Sequence, residues 1–211
     1  MIRDLKLIKY GYQFKLNMVF AVFFMLLGIA ILSFNDIYKG PSIYLVFYCG
    51  FLFMIQVSNT LMTSDMVKSS PRYRQFYLGM PRVINFIGFF VTVSVLMVIR
   101  LIQKGNIDEF KKYIGNELAA LGFMYFICLL YIAFVYKFFI ISILLFCISF
   151  TFSNVAVSFI FITHNFTFAQ GAGIALLCMV AGMVLSEIIA RLIYKIPTSK
   201  LAQSASLRKY I

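Results

Sequence analysis

Side chains able to do chemistry are scarce in this sequence of 211 residues, which holds seven carboxylates, one histidine and four cysteines. Glu187 and Arg191 are the pair best placed to act. They stand at i and i+4 near the end of an apolar run, in the Glu-then-Arg order that a helix favours. Ionisable residues within a membrane span are functional candidates. The pair could therefore be an interhelical gate, a proton or cation site, or a plain ion pair near an interface. Arg100 lies close enough to the end of its run to snorkel toward water.

Covalent and metal chemistry find no support. His164 alone cannot supply a zinc ligand set. The paired His and Glu of a metalloprotease and the Gly-x-Ser-x-Gly turn of a hydrolase are missing. Gly171-Ala172-Gly173 is not followed by the Lys and Ser/Thr of a phosphate-binding loop. Cys49, Cys128, Cys147 and Cys178 all sit in apolar runs without a CxxC pair and read as small apolar fillers. The sequence thus predicts no enzyme, no metal and no cofactor bound by this chain.

Uncharged polar side chains form a second group. Gln56, Ser58, Asn59, Thr60 and Thr63 share one apolar run, and Ser149, Thr151, Ser153, Asn154 and Ser158 share another. Such groups tie membrane helices together for about 1 kcal/mol or less each. They can also line a translocation path, for which Gln56, Asn59, Thr60, Ser153 and Asn154 are the candidates. Cys178, Gly182, Ser186 and Ala190 recur every four residues and make a ridge of small side chains. Such a ridge lets another helix come close, within the chain or across a dimer.

The elements that must position these groups follow from composition. Hydrophobic residues are 63% of the chain and charged ones 12%, against roughly 45–50% and 25% in soluble domains. That excludes a soluble enzyme, a disordered chain and a small secreted scaffold. The expected fold is an all-α membrane protein in which residues 1–211 form one transmembrane domain. A span needs about 20 apolar residues, and six runs qualify: 18–34, 43–62, 83–102, 118–136, 138–162 and 171–192. From Leu118 to Ile162 the only charge is Lys137, so a tight hairpin is expected there. Placing both termini in the cytoplasm puts fourteen of the 19 basic residues inside and five (Lys39, Arg100, Lys104, Lys111, Lys112) outside, as the positive-inside rule requires. Charges interspersed between apolar spans argue for membrane topology and anionic lipid, not nucleic acid.

Two segments outside the spans are informative. Ile2, Leu5, Ile8, Tyr12 and Leu16 recur at helical spacing, with Arg3, Lys6 and Lys9 off the stripe. Residues 1–17 therefore read as an amphipathic helix lying in the interface. The loop 63–82 is longer than a simple connector. Ser69, Ser70 and Pro71 make a start signal, with Ser70 able to cap a helix and Pro71 suited to its first position. The spacing predicts a short helix from Pro71 to Gly79, ended by breaks at Gly79 and Pro81. Such a helix could dock a soluble partner.

This layout resembles the permease subunits of type-2 ABC exporters. The likeness covers nearly the whole chain and rests on the interfacial N-terminal helix, six spans and the loop after the second span. The phrase SSPRYRQFYLGMPR, Ser69 to Arg82, is similar to that family's Ser-Pro, basic, then Gly pattern. The resemblance implies that Ser69, Ser70, Pro71, Arg72, Tyr73, Arg74, Gln75, Phe76, Tyr77, Leu78 and Gly79 form a coupling helix seated on an ATP-binding subunit. That separate subunit would hold ATP and Mg. A second permease chain, identical or paralogous, would complete the pathway for an amphipathic peptide, lipid or drug. The link from Thr163 to Gln170 is too short for the outer re-entrant helices of many members. The shortness suits the small permeases of bacterial peptide exporters and bacteriocin-immunity systems, with phenol-soluble modulin exporters nearest in style. The alternatives are an ion- or proton-coupled transporter using Glu187 and a non-transporting immunity or assembly protein in the plasma membrane.

Overall fold

The computed structural model describes residues 14–34, 46, 47, 49–53, 69, 71, 73–134 and 137–197. Among them there is no strand. Five helices run in order: α1 (Phe14–Phe34), α2 (Tyr73–Lys104), α3 (Ile107–Phe134), α4 (Phe139–Thr163) and α5 (Phe168–Leu192). Residues 46, 47 and 49–53 are also helical.

Among the described residues, four stretches are long and apolar enough to cross a bilayer: Lys15–Phe34, Gly79–Lys104, Tyr113–Phe134 and Phe168–Leu192. Large apolar side chains stand exposed along them, among them Phe23, Ile87, Val98 and Leu177. In water that surface would drive aggregation; against acyl chains it is at home. The same holds for α4, where Ile140, Leu144, Ile148, Phe152 and Phe159 are exposed. The chain is therefore a helical membrane protein. Of the second expected span, 43–62, only residues 46, 47 and 49–53 are described, and residues 1–13 of the expected interfacial helix lie outside the description.

Two stretches differ from expectation. The breaks at Gly79 and Pro81 do not occur, and α2 runs from Tyr73 through Pro81 to Lys104 without interruption. A proline removes one backbone donor, but helices entering a membrane tolerate that loss because neighbouring groups and small local adjustments satisfy the freed carbonyl. The stretch 103–117, between the expected spans 83–102 and 118–136, is mostly helical and its connection contracts to a turn. Gly105, at φ 62°, reverses the chain in a conformation that L side chains rarely adopt, and α3 begins two residues later at Ile107. Asp108, Glu109 and Glu117 thus belong to the first turns of α3. The hairpin at Lys137 is present. The amides of Lys137 and Phe138 both donate to the Phe134 carbonyl, closing α3 before α4 starts at Phe139.

The core sits where α3 and α5 lie against each other. A Cβ placed on Gly122 would stand 2.5 Å from the Ala175 Cα, and one on Gly182 would stand 2.9 Å from the Leu129 side chain. At the end of the same seam the Gly171 side of α5 lies against the Gly115 backbone, and Gly115 in turn lies against the backbone of Phe166 and Thr167. Cys178, Gly182 and Ser186 are buried along this seam and Ala190 is half-buried, so the small-residue ridge packs within the chain. Thr167 caps α5: its hydroxyl accepts from the Gln170 amide, and the Gln170 side chain accepts from the Thr167 amide at 3.0 Å. Around this pair, α2 packs on α3 through Phe89, Leu96 and Tyr125, and Phe47 and Phe51 close the gap to α1.

Candidate functional site

Polar side chains gather at three levels along α2. Arg82 and Arg100 mark the outer two levels, about 27 Å apart at ~1.5 Å per residue. That is close to the ~30 Å thickness of the hydrocarbon core. Thr92 lies between them.

At the Arg100 level, Arg100 Nε donates to Glu117 Oε2 at 2.9 Å, joining α2 to α3. Both side chains are 5% exposed. Arg100 also donates to Gln103 Oε1 at 2.6 Å, and Gln103 Nε2 donates to the carbonyls of Leu32 (3.2 Å) and Ser33 (2.7 Å). Those carbonyls belong to the last turn of α1, which has no further turn to accept from them. One arginine therefore gathers three helices at a single level. Arg100 does not snorkel; it is consumed inside the bundle.

At the middle level, Thr92 Oγ1 donates to the Gly88 carbonyl at 2.7 Å and lies 2.9 Å from the Tyr125 hydroxyl. A threonine has one hydroxyl proton, so Tyr125 on α3 is the donor in the second bond. Tyr125→Phe should remove a single interhelical bond. The expected cost is about 0.6 kcal/mol, the average for such bonds between membrane helices. Unfolding of the two proteins in mixed micelles measures it, and a loss several times larger would mean that Tyr125 does more than bridge.

At the Arg82 level, Glu187 on α5 is shared. Its Oε2 accepts from Arg82 Nη1 of α2 at 2.7 Å, and its Oε1 accepts from Arg191 one turn further along α5. These groups are wetter than the Arg100 pair: Arg82 is 25% exposed, Glu187 28% and Arg191 59%. Beside them the Lys137 amine donates to the carbonyls of Tyr194 and Ile196 just past the end of α5, where the helix dipole is negative. The same amine lies 5.5 Å from the centre of the Tyr77 ring, and Tyr77 meets Tyr194 edge to face at 5.6 Å. The start of α2, the α3–α4 turn and the end of α5 thus converge on a cationic cluster.

The sequence-derived candidates fall unevenly on this arrangement. Glu187 and Arg191 form the expected pair, and Arg82 joins it. Tyr77 and Gly79 lie on the first turns of α2 next to the cluster; Ser69 and Pro71 precede the helix in turns. Tyr73, Arg74, Gln75, Phe76 and Leu78 are helical, but their side chains lie outside the description, as do Ser70 and Arg72 altogether. Ser153 and Asn154 belong to α4 with side chains outside the description, and Gln56, Asn59 and Thr60 lie outside the described residues. Among the described residues no group of three His, Cys, Asp or Glu side chains could hold a metal ion.

Sequence reasoning missed Arg100 with Glu117, Gln103, Thr92 with Tyr125, and the part played by Arg82. One signal was available. Arg100 and Glu117 are opposite charges near equivalent depths on two apolar segments joined by a short Gly-containing link. No family model, no curated protein and no solved structure matches this chain.

Proposed function

We propose that this chain is the membrane-spanning permease subunit of an ATP-driven exporter in a bacterial plasma membrane. It has six spans, both termini and the 63–82 loop are cytoplasmic, and residues 1–17 lie along the inner interface. A separate ATP-binding subunit holds ATP and Mg and docks on residues 69–79. A second permease chain, identical or paralogous, completes the pathway, and the cargo is amphipathic or hydrophobic.

One observation carries this reading. The docking segment and a membrane span are the same rigid object, because α2 is continuous from Tyr73 to Lys104. A push on residues 73–79 from the aqueous side is transmitted along the whole span without an intervening flexible joint. An inner loop that merely connected two spans would have no use for such a lever. The polar groups at the Thr92 and Arg100 levels are engaged in bonds within the chain, which fits a pathway between two chains better than one through a single bundle. Glu187 carries two guanidinium partners, which fits an ion-pair tie better than a proton carrier.

Affinity purification of the chain from its native membrane tests the reading: an ATPase should accompany it. Charge reversal at Arg72 and Arg74 should weaken that association about tenfold or more, as the loss of ~1.4 kcal/mol or more of interface electrostatics would do. Membrane insertion should remain intact. ATPase association and transport that ignore both reversals would sink the docking assignment.

A further inference from the structure

The two ion-pair levels on α2 are built differently, and the difference has a mechanical meaning. At the Arg100 level both charges are buried, and Gln103 fastens the arginine to the end of α1. Separating that pair would leave two charges stranded in a low-dielectric interior. At the Arg82 level the tie is half-exposed and Glu187 keeps a second guanidinium, Arg191, on its own helix. If Arg82 withdraws, Glu187 is not left unpaired. The closed arrangement is also imperfect on the Arg82 side: among the described residues, Arg82 Nη2 is buried without a hydrogen-bond partner, a cost that opening would relieve. Near the start of α2, Tyr77 makes ring contacts at this level, with Tyr194 and with the Lys137 amine. Pro81, which lacks a backbone donor, lies next to Arg82.

We propose that α2 pivots about a permanent clamp at Arg100–Glu117 and unlatches at Arg82–Glu187, with Arg191 as the residue that keeps Glu187 neutralised while the latch is open. A tilt of about 10° at the clamp would move the Arg82 level by about 5 Å over the ~27 Å between them. That is enough to part a 2.7 Å contact. The latch faces the same end as residues 73–79, so the exporter reading supplies its driver. The device itself belongs to this chain alone, and its test needs no ATPase.

The latch predicts opposite effects from two arginines. Removing Arg82 takes away the tie and opens the end. Removing Arg191 takes away the alternative partner of Glu187 and the repulsion between the two guanidiniums, so the Arg82 tie tightens. The probe is a cysteine at Met80, which is buried beside the latch. Its rate of modification by a charged, membrane-impermeant maleimide is measured in the full chain in phospholipid nanodiscs, with the chain lacking the introduced cysteine as the blank. Arg82→Gln should raise the rate about threefold or more, and Arg191→Gln should lower it by a similar factor. Arg82→Lys keeps a cation within reach and should return the rate toward that of the unaltered chain, which separates unlatching from misfolding. A cysteine at Ile114, buried one turn from Glu117, should stay protected in every background. An Arg191→Gln rate at or above the unaltered one, an Arg82→Gln rate at or below it, or reactivity at Ile114 in either variant would overturn the pivot and leave the exporter reading standing.

Discussion

Glu117→Leu is expected to destabilise the protein by about 3–5 kcal/mol, the range for removing one partner of a buried ion pair. The physical reason lies in what remains. Arg100 is 5% exposed, and its guanidinium offers N–H donors with no acceptor capacity of its own. Without the carboxylate its Nε, now donating at 2.9 Å, loses its acceptor in a site that water barely reaches. Arg100→Leu strands Glu117 in the same way and should cost a similar amount. The double replacement Arg100→Leu with Glu117→Leu should recover most of the loss, because an apolar pair of comparable volume needs no desolvation. Glu187→Gln provides the contrast. That carboxylate is 28% exposed, and losing a wet pair typically costs about 1 kcal/mol or less. Unfolding in mixed micelles, followed by loss of helix signal, gives all four values. Equal small losses at Glu117 and Glu187 would mean that the Arg100 level is hydrated and is no clamp.

That contrast marks how far the sequence can be read. The membrane class and the helical content were legible because long apolar runs admit no other structure in a bilayer, where every backbone group must be satisfied locally. The turn at Lys137 was legible for the same reason: a lone charge in a 45-residue apolar stretch has to reach an interface. The boundary at Gln103–Glu117 was not. Charges there look like a solvated loop until the partner is known, and Glu117 becomes tolerable inside a helix bundle only because Arg100 meets it across the turn. Pro81 misled in the opposite sense. Its cost in a water-exposed helix is real, but it sits where α2 enters its apolar stretch and the helix continues past it. On the four-residue ridge of α5, Cys178, Gly182 and Ser186 are buried and Gly182 lies close against α3. Local spacing could not name the partner, because Leu129 and Phe126, which meet Gly182, lie on α3 fifty or so residues earlier in the chain.

The site divides along the same line. Glu187 and Arg191 are neighbours on one helix, so their pairing follows from periodicity alone. Arg82 joins them from another helix, and Lys137 reaches carbonyls past the end of α5. Those are tertiary facts with no local signature. Local spacing therefore finds the Glu187–Arg191 pair and none of the contacts at the Arg100 and Thr92 levels, which join different helices.

The second large effect is expected at the α3–α5 seam. A Cβ on Gly122 would stand 2.5 Å from the Ala175 Cα and 3.2 Å from its Cβ. The nearer obstacle is backbone, which no rotamer change can move aside. Gly122→Ala must therefore push the two helices apart, forfeiting dispersion contacts along Leu118, Leu121, Met179 and Cys178. Overpacking of this kind costs about 1–3 kcal/mol, and more where backbone is the obstacle; Gly122→Val should reach the upper end. Trimming Ala175 to glycine should not rescue Gly122→Ala, since the clash with the Cα remains. Gly173 is the internal control. It lies on the exposed side of α5 with open space where its Cβ would be, so Gly173→Ala should gain about 0.5–1 kcal/mol from helix propensity alone. The same micelle unfolding reads both signs. If Gly122→Ala proved as benign as Gly173→Ala, the helices could not approach as closely as described, and the seam that holds α5 (and with it Glu187) at the right depth for Arg82 would have to be redrawn.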